Sequence, residues 1–120
     1  MSALSDLVAE AKRLSTLIDK GVDALRTAAK DAATAEHTYR HARAKAWART
    51  EGTAKEREDQ VNALTADERL GRDLAEATRM AALEALRSRR TQLSSCQTLA
   101  NADRAELEQA FYGPDEGVAS

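Results

Sequence analysis

The chain has 120 residues, of which 32% are charged and only 3% are aromatic, and its formal net charge is -2. This length suits one domain, but alanine supplies much of the 42% hydrophobic content and removes little apolar area from water, so one chain buries only a small core. The near-neutral charge excludes a protein that binds nucleic acid over its whole surface, so any basic site must be local.

The N-terminal residues lack the basic start and the apolar stretch of a signal peptide. No run approaches the roughly 18 apolar residues of a membrane span. The single cysteine, Cys96, cannot form an internal disulfide, which favours a reducing compartment. We therefore expect a soluble cytoplasmic protein that contacts no membrane.

A heptad pattern predicts a first helix over about residues 3–51. One set of seam positions holds Leu4, Ala11, Ile18, Leu25, Ala32, Tyr39 and Ala46, and the other holds Leu7, Leu14, Gly21, Ala28, Ala35 and Ala42. Small residues dominate from 28 to 46, so a second helix is expected to pack closely there. Gly21, in the middle of the helix, is expected to mark a close contact.

Glycine is the residue that most often ends a helix, so Gly52 predicts a turn at residues 52–53. Thr53 and Glu56 then form the pattern of a capping box, which restarts a helix. Thr65 and Glu68 repeat the pattern. They predict a short helix over about 54–64 and a long one over about 66–110. A continuous second arm that contains Thr65 is the alternative.

The last long helix carries its apolar residues on a stripe that drifts around the helix instead of keeping a seven-residue repeat. The stripe consists of Leu70, Leu74, Ala77, Ala81, Leu86, Leu93, Ala100 and Leu107. The predicted fold class is all-α: a long antiparallel helical hairpin, coiled-coil-like, with a short extra helix after the turn. Residues 1–111 are expected to form one domain, and 112–120, rich in turn formers, a flexible tail.

The sequence offers little catalytic chemistry. His37 and His41 lie four residues apart on one helix face, but no Cys or His elsewhere completes a metal site, so we interpret them as solvent-facing. The chain lacks a glycine-rich phosphate loop and a paired-carboxylate pocket. We therefore expect no enzyme, no catalytic residue, no metal, no cofactor and no small-molecule substrate.

A run of cations before the turn is the candidate binding site. No acidic residue lies between Glu36 and Glu51, and the candidate residues in this interval are Arg40, Arg43, Lys45, Trp47 and Arg49. On a helix, Arg40, Arg43 and Trp47 lie on one flank of the seam, and Lys45 and Arg49 lie on the other. Cations beside an exposed indole bind a phosphate backbone while a base stacks on the ring. The alternative is a solvated face whose cations stabilise the C-terminal end of the helix dipole.

Four segments between Tyr39 and Arg104 resemble short helical-hairpin proteins encoded by phages and prophages of actinobacteria. The segments are YRHARAKAW, GTAKERE, TADERLGRDLAEA and LEALRSRRTQLSSCQTL. Such proteins tend to be encoded near recombination and replication genes, so the resemblance implies an accessory role with single-stranded DNA or its binding proteins. Cys96 departs from the pattern, because similar proteins often carry an aliphatic or aromatic residue there.

A rival resemblance is to the small secreted helical hairpins of type VII secretion. Those proteins carry Trp-x-Gly at the turn and Tyr-x-x-x-Asp/Glu near the C-terminus. Tyr112 and Glu116 satisfy the second motif, but Trp47 is followed by Ala48 and Arg49, so the first motif is absent.

These observations lead to one functional hypothesis and two alternatives. The first is a non-enzymatic phage protein, a self-associating helical hairpin that assists DNA recombination or replication by contacting single-stranded DNA or a DNA-bound phage recombination or replication protein. One alternative is a structural or adaptor coiled-coil protein of virion assembly or host takeover. The other is a type VII secretion hairpin. A homo-oligomer is expected because one chain has so small a core.

Overall fold

The computed structural model describes residues 3–118, with side chains for residues 3–111. In this range the chain forms three α-helices and no strand: α1 spans Ala3–Arg49, α2 spans Ala54–Leu64 and α3 spans Ala66–Val118. The predicted all-α fold class, a helical hairpin in which α1 packs against α3, is confirmed. None of these helices, within the described residues, combines the length and the hydropathy that a membrane span requires.

The chain divides into two compact units. Unit 1 joins the described residues up to Gly21 to those from Ala85 onward, and unit 2 spans Val22–Glu84. In each unit the paired helices run antiparallel. In unit 1 the early residue Leu7 contacts the late residue Cys96, and in unit 2 Arg43 contacts Asn62.

Unit 1 is held by a small aliphatic core. Leu14 and Leu86 are 1% and 3% exposed, and the thiol of Cys96 donates a hydrogen bond to the backbone carbonyl of Leu7 at 3.0 Å. At Gly21 an added Cβ would lie 3.3 Å from Cδ1 of Leu86. The close contact predicted at Gly21 is therefore confirmed.

Unit 2 has a core of mostly smaller residues. Ala28, Ala32 and Ala46 of α1 are buried, and Val61 and Thr65 of the returning chain are 0% and 2% exposed. Every position of the predicted α1 seam, in both units, is buried or half-buried. The heptad reading of α1 is thus confirmed.

The seam of the second arm differs from the prediction. In unit 2, apart from the half-buried Leu83, its buried and half-buried positions from Val61 onward alternate by four and three residues: Val61, Thr65, Glu68, Arg72, Ala75, Arg79 and Ala82. In unit 1 the repeat continues through Leu86, Arg89, Leu93, Cys96, Ala100 and Asp103. The predicted drift is therefore wrong. Arginines occupy seam positions because their aliphatic stems cover apolar surface while their guanidinium groups reach water.

Part of the predicted apolar stripe consequently lies outside the seam. Leu70 and Leu74 are 57% and 59% exposed, and Ala77 and Ala81 are exposed as well. The other members in unit 1, Leu86, Leu93 and Ala100, lie in the seam as predicted, and Leu107 is 47% exposed. A hydrophobicity pattern cannot recognise an arginine seam position, so it counted leucines on the opposite side of the helix instead.

The turn is built around one glycine. Gly52 has φ 116°, a conformation that side chains with a Cβ rarely adopt. The capping box at Thr53 is confirmed: the Glu56 N–H donates to Thr53 Oγ1 at 3.2 Å, and the Thr53 N–H donates to Glu56 Oε2 at 3.3 Å. Helix α1 ends at Arg49, two residues before the predicted end, where the Thr50 hydroxyl donates to the Trp47 carbonyl at 3.0 Å.

The second arm breaks at Thr65, as the short-helix reading predicted. The capping box predicted at Thr65 and Glu68 is wrong, however. The Thr65 hydroxyl donates to the carbonyl of Val61 at 2.7 Å instead of accepting from the following turn. Because Thr65 is only 2% exposed, this local hydrogen bond avoids a buried hydroxyl without a partner.

Helix α3 extends to Val118, beyond the end predicted near residue 110. Turn-forming residues lower helix propensity without always ending a helix, and the prediction relied on them too strongly. The last two residues of the predicted tail lie outside the described range. The predicted flexibility of residues 112–120 stays a prediction.

We expect Gly52→Ala to lower the free energy of unfolding by about 1–2 kcal/mol, because the substitution requires a left-handed Ala and places a Cβ against the Glu56 carboxylate of the capping box. Urea unfolding followed by circular dichroism in dilute solution measures this change. Gly71→Ala is the matched control: it lies inside α3 with no atom within 4 Å of the new Cβ, so it should stabilise the protein. Equal effects at both positions would contradict this account of the turn.

Candidate functional site

The turn holds Trp47 in a cation–π contact. The Arg57 guanidinium lies 5.0 Å from the centroid of the half-buried indole ring. Arg57 also donates from Nη2 to the Trp47 carbonyl at 2.9 Å and from Nε to Thr50 Oγ1 at 3.2 Å. These contacts tie α2 to the C-terminal end of α1. Trp47 was predicted as an exposed ring on which a base could stack. In the structure the ring is half-buried, and the Arg57 guanidinium lies over it.

Arg43 and Arg40, on the same flank as Trp47, are also engaged within the chain. Arg43 is half-buried and donates from Nη1 to Asn62 Oδ1 at 3.1 Å. Arg40 forms an ion pair with Glu36 at 2.8 Å, while its side chain remains 77% exposed. Such an exposed pair contributes little to stability and leaves the Arg40 charge accessible.

Lys45 and Arg49 lie on the other flank, as the sequence predicted. Both are exposed, and among residues 3–111 neither forms an ion pair. They line a shallow groove between α1 and the second arm, together with Ala42, Ala46, Ala48, Leu64 and Glu68. The five predicted residues thus form two groups on opposite flanks, and the structure does not bring them into one site.

The groove of Lys45 and Arg49 continues along the same side of unit 2. Its next section is lined by Asp31, Thr34, Ala35, Thr38, Glu68, Gly71 and Arg72. Glu68 lines both sections, so we call the whole surface the Glu68 groove. Its two ends carry opposite charge, with Asp31 at one end and Lys45 and Arg49 at the other.

Arg72, a seam residue that also lines the Glu68 groove, is the centre of a charge cluster that extends to the opposite side of unit 2. The Arg72 guanidinium lies 4.3 Å from the Tyr39 ring centroid, 3.0 Å from the Asp73 carboxylate and 3.8 Å from the Glu36 carboxylate. The hydrogen bond to Asp73 is the main cause that raises the Arg72 pKa above its usual value. Arg72 is therefore a neutralised structural cation, which the sequence reading missed because the residue occupies a seam position.

Two turns further along α3, Arg79 pairs in a similar way with Glu76. Its guanidinium lies 2.6 Å from the carboxylate, and this hydrogen bond lowers the Glu76 pKa. The groove beside these residues is lined by Ala29, Ala32, Ala33, Glu36, Arg72, Asp73, Glu76 and Arg79. Since its carboxylates outnumber its guanidinium groups, it has no preference for a phosphate.

His37 and His41 lie on the exposed face of α1, with their rings stacked 6.3 Å apart. Among the residues with described side chains, no group of three His, Cys, Asp or Glu is placed to hold a metal ion. The buried Cys96 thiol is used in its hydrogen bond to the Leu7 carbonyl.

Large apolar side chains lie outside the core on the second arm of unit 2. Leu64 is 55% exposed and lines the Glu68 groove, and Met80 is 43% exposed. Leu70 and Leu74 are exposed on the same arm, and we call these four exposed residues together the outer apolar face. Sequence analysis placed two of these leucines in the core, and only the arginine seam shows that they face solvent.

Comparison with known proteins adds no functional evidence: no family model, curated protein or solved structure matches this chain.

We expect Arg57→Ala to loosen the turn and expose the indole. Trp47 is the only tryptophan, so its fluorescence should shift to longer wavelength and be quenched more strongly by acrylamide. The loss of the cation–π contact and two hydrogen bonds should lower the free energy of unfolding by about 1–2 kcal/mol. Lys55→Ala, an exposed change in the same helix, is the control and should alter neither signal. Equal quenching in both variants would contradict this role of Arg57.

Proposed function

We propose that this chain is a non-enzymatic helical-hairpin accessory protein that works by binding other helices, and first of all copies of itself. The observation that carries the proposal is the outer apolar face of Leu64, Leu70, Leu74 and Met80. Burying an exposed leucine fully is worth roughly 1.5–3 kcal/mol, so covering several of them provides a substantial driving force for association.

The small core of one chain supports this proposal. Among described residues the largest fully buried side chains are Leu14 and Val61. A second chain that covers the exposed leucines would supply the apolar burial that a single chain lacks.

A second candidate function is direct contact with single-stranded DNA. It is favoured by three exposed cations, Arg40, Lys45 and Arg49, on a stretch of α1 with no acidic residue between Glu36 and Glu51. Such cations bind phosphates and release counterions. In this proposal the protein assists recombination or replication in the host cytoplasm. Helix binding without DNA contact fits the adaptor role in virion assembly.

We expect Leu64→Glu/Leu74→Glu to shift the protein towards monomer, because two exposed leucines that association buries become charged. Light scattering after size-exclusion chromatography measures the mass. Leu99→Glu/Leu107→Glu is the matched control on exposed leucines of unit 1, which are 56% and 47% exposed. A wild-type mass of one chain at tens of micromolar would exclude self-association.

For the DNA candidate, we expect Arg40→Glu/Lys45→Glu/Arg49→Glu to weaken binding to labelled single-stranded DNA by about tenfold or more at low salt, with a shallower salt dependence. Fluorescence anisotropy measures both quantities. Lys12→Glu/Lys20→Glu/Lys30→Glu introduces the same charge change at other exposed positions of α1 and should retain most of the binding. No binding by the wild-type protein, or an equal loss in both variants, would eliminate a local DNA site.

A further inference from the structure

We propose that the Glu68 groove binds a second copy of this chain in an antiparallel two-fold dimer whose axis passes near Thr38 and Gly71. This inference rests on the self-association proposed above and specifies its surface, direction and register. In such a dimer the two copies of α1 run antiparallel against each other, as do the two copies of α3. The product is a four-helix arrangement built from two unit 2 hairpins.

Charge along the groove determines the direction. Asp31, Thr38 and Lys45 are spaced seven residues apart, so they lie on the same side of α1, and all three line the groove. If Thr38 of one copy faces Thr38 of the other in an antiparallel pair, Asp31 of each copy faces Lys45 of the other. A parallel pair in the same register would instead place Asp31 against Asp31 and Lys45 against Lys45, which is repulsive.

The charged groups concerned are available for this contact. Asp31, Lys45 and Arg49 are exposed, and in the described part of the chain none of them forms an ion pair. By contrast, the exposed Arg26 and Arg40 of unit 2 have acidic partners within the chain, Asp23 and Glu36. The charges at the two ends of the Glu68 groove are therefore available to a second copy.

The centre of the groove permits close approach. Thr38 and Gly71 line the same section, and a Cβ added at Gly71 meets nothing within 4 Å. Space inside the monomer therefore does not require glycine at this position. The helix itself would be more stable with alanine by about 1 kcal/mol. Contact with the backbone of a second helix explains why a residue without a side chain is suitable there.

The exposed apolar side chains and the estimated interface area are consistent with a dimer of low affinity. Leu64 lies seven residues before Gly71, and Leu74 lies three residues after it, so exposed leucines flank the proposed axis on both sides. The groove follows α1 from Asp31 to Arg49, a rise of about 27 Å. If two helices of that length bury on the order of 500 Å² per copy, the interface totals roughly 1,000 Å², which is below the size of stable complexes and typical of weak ones.

A charge exchange tests the register. Asp31→Lys and Lys45→Asp each make both symmetric contacts repulsive, so each should raise the dimer Kd by about tenfold or more. The double variant Asp31→Lys/Lys45→Asp restores opposite charges at both contacts and should recover a Kd within about threefold of the wild-type value. Lys30→Asp is the matched control, with the same charge change one residue from Asp31 but away from the groove lining; its Kd should be unchanged. Sedimentation equilibrium measures these constants, and circular dichroism confirms that each variant is helical.

Gly71→Gln provides a second, independent test. The new side chain has open space in the monomer and favours the helix, so thermal stability in dilute solution should not fall. In the dimer the same side chain occupies the closest approach of the two copies, so the Kd should rise by about tenfold or more.

Four results would overturn the assignment in distinguishable ways. A wild-type monomer at tens of micromolar would overturn self-association itself, and the dimer with it. A wild-type oligomer with an unchanged Kd in Asp31→Lys, Lys45→Asp and Gly71→Gln would overturn only this surface. Single variants that weaken the dimer without recovery in the double variant would overturn the register. Loss of single-stranded DNA binding in Lys45→Asp with unchanged mass would assign the groove to nucleic acid instead.

Discussion

The packing of an alanine-rich helix against a partner is the constraint on which unit 2 depends. From Ala28 to Ala46 the seam of α1 supplies little side-chain volume, so α3 must supply the contact surface. It does so with the stems of Arg72 and Arg79, which lie at seam positions and are 28% and 32% exposed. Their guanidinium groups remain at the edge of the seam, where both contact carboxylates and that of Arg72 also lies over the Tyr39 ring.

This packing places charge and apolar surface in unexpected positions. The hydrophobicity pattern places arginines on the surface, but Arg72 and Arg79 lie in the seam. It places Leu70 and Leu74 in the core, but both face solvent. The exchange leaves the monomer with an outer apolar face and a small core. Contact with a second helix surface would cover this exposed apolar area, which is the physical basis for the proposed self-association.

The turn separates the predicted basic patch into groups with different roles. Trp47 and Arg43 face the returning chain and take part in holding it, through Arg57 and Asn62. Lys45 and Arg49, on the other flank, remain exposed at one end of the Glu68 groove. The cations that stabilise the turn, Arg43 and Arg57, are therefore different from the exposed cations that a partner could contact, Lys45 and Arg49.

The sequence by itself determined the helical class, the α1 seam and the turn at Gly52, because these depend on local propensity, capping and a regular repeat of apolar residues. It left the break at Thr65 open against a continuous second arm, since the Thr65 hydroxyl bonds back to Val61 and forms no capping box. It also placed Lys45 and Arg49 on one flank and Trp47 on the other. Only the tertiary structure decided which side of α3 forms the seam, because the choice depends on how well long arginine stems fit beside small alanines. The same packing decided that Arg57 covers Trp47, and that Asp31, Thr38 and Lys45 share a groove with Gly71. Such contacts between distant residues follow from the register of two helices, which no local pattern specifies.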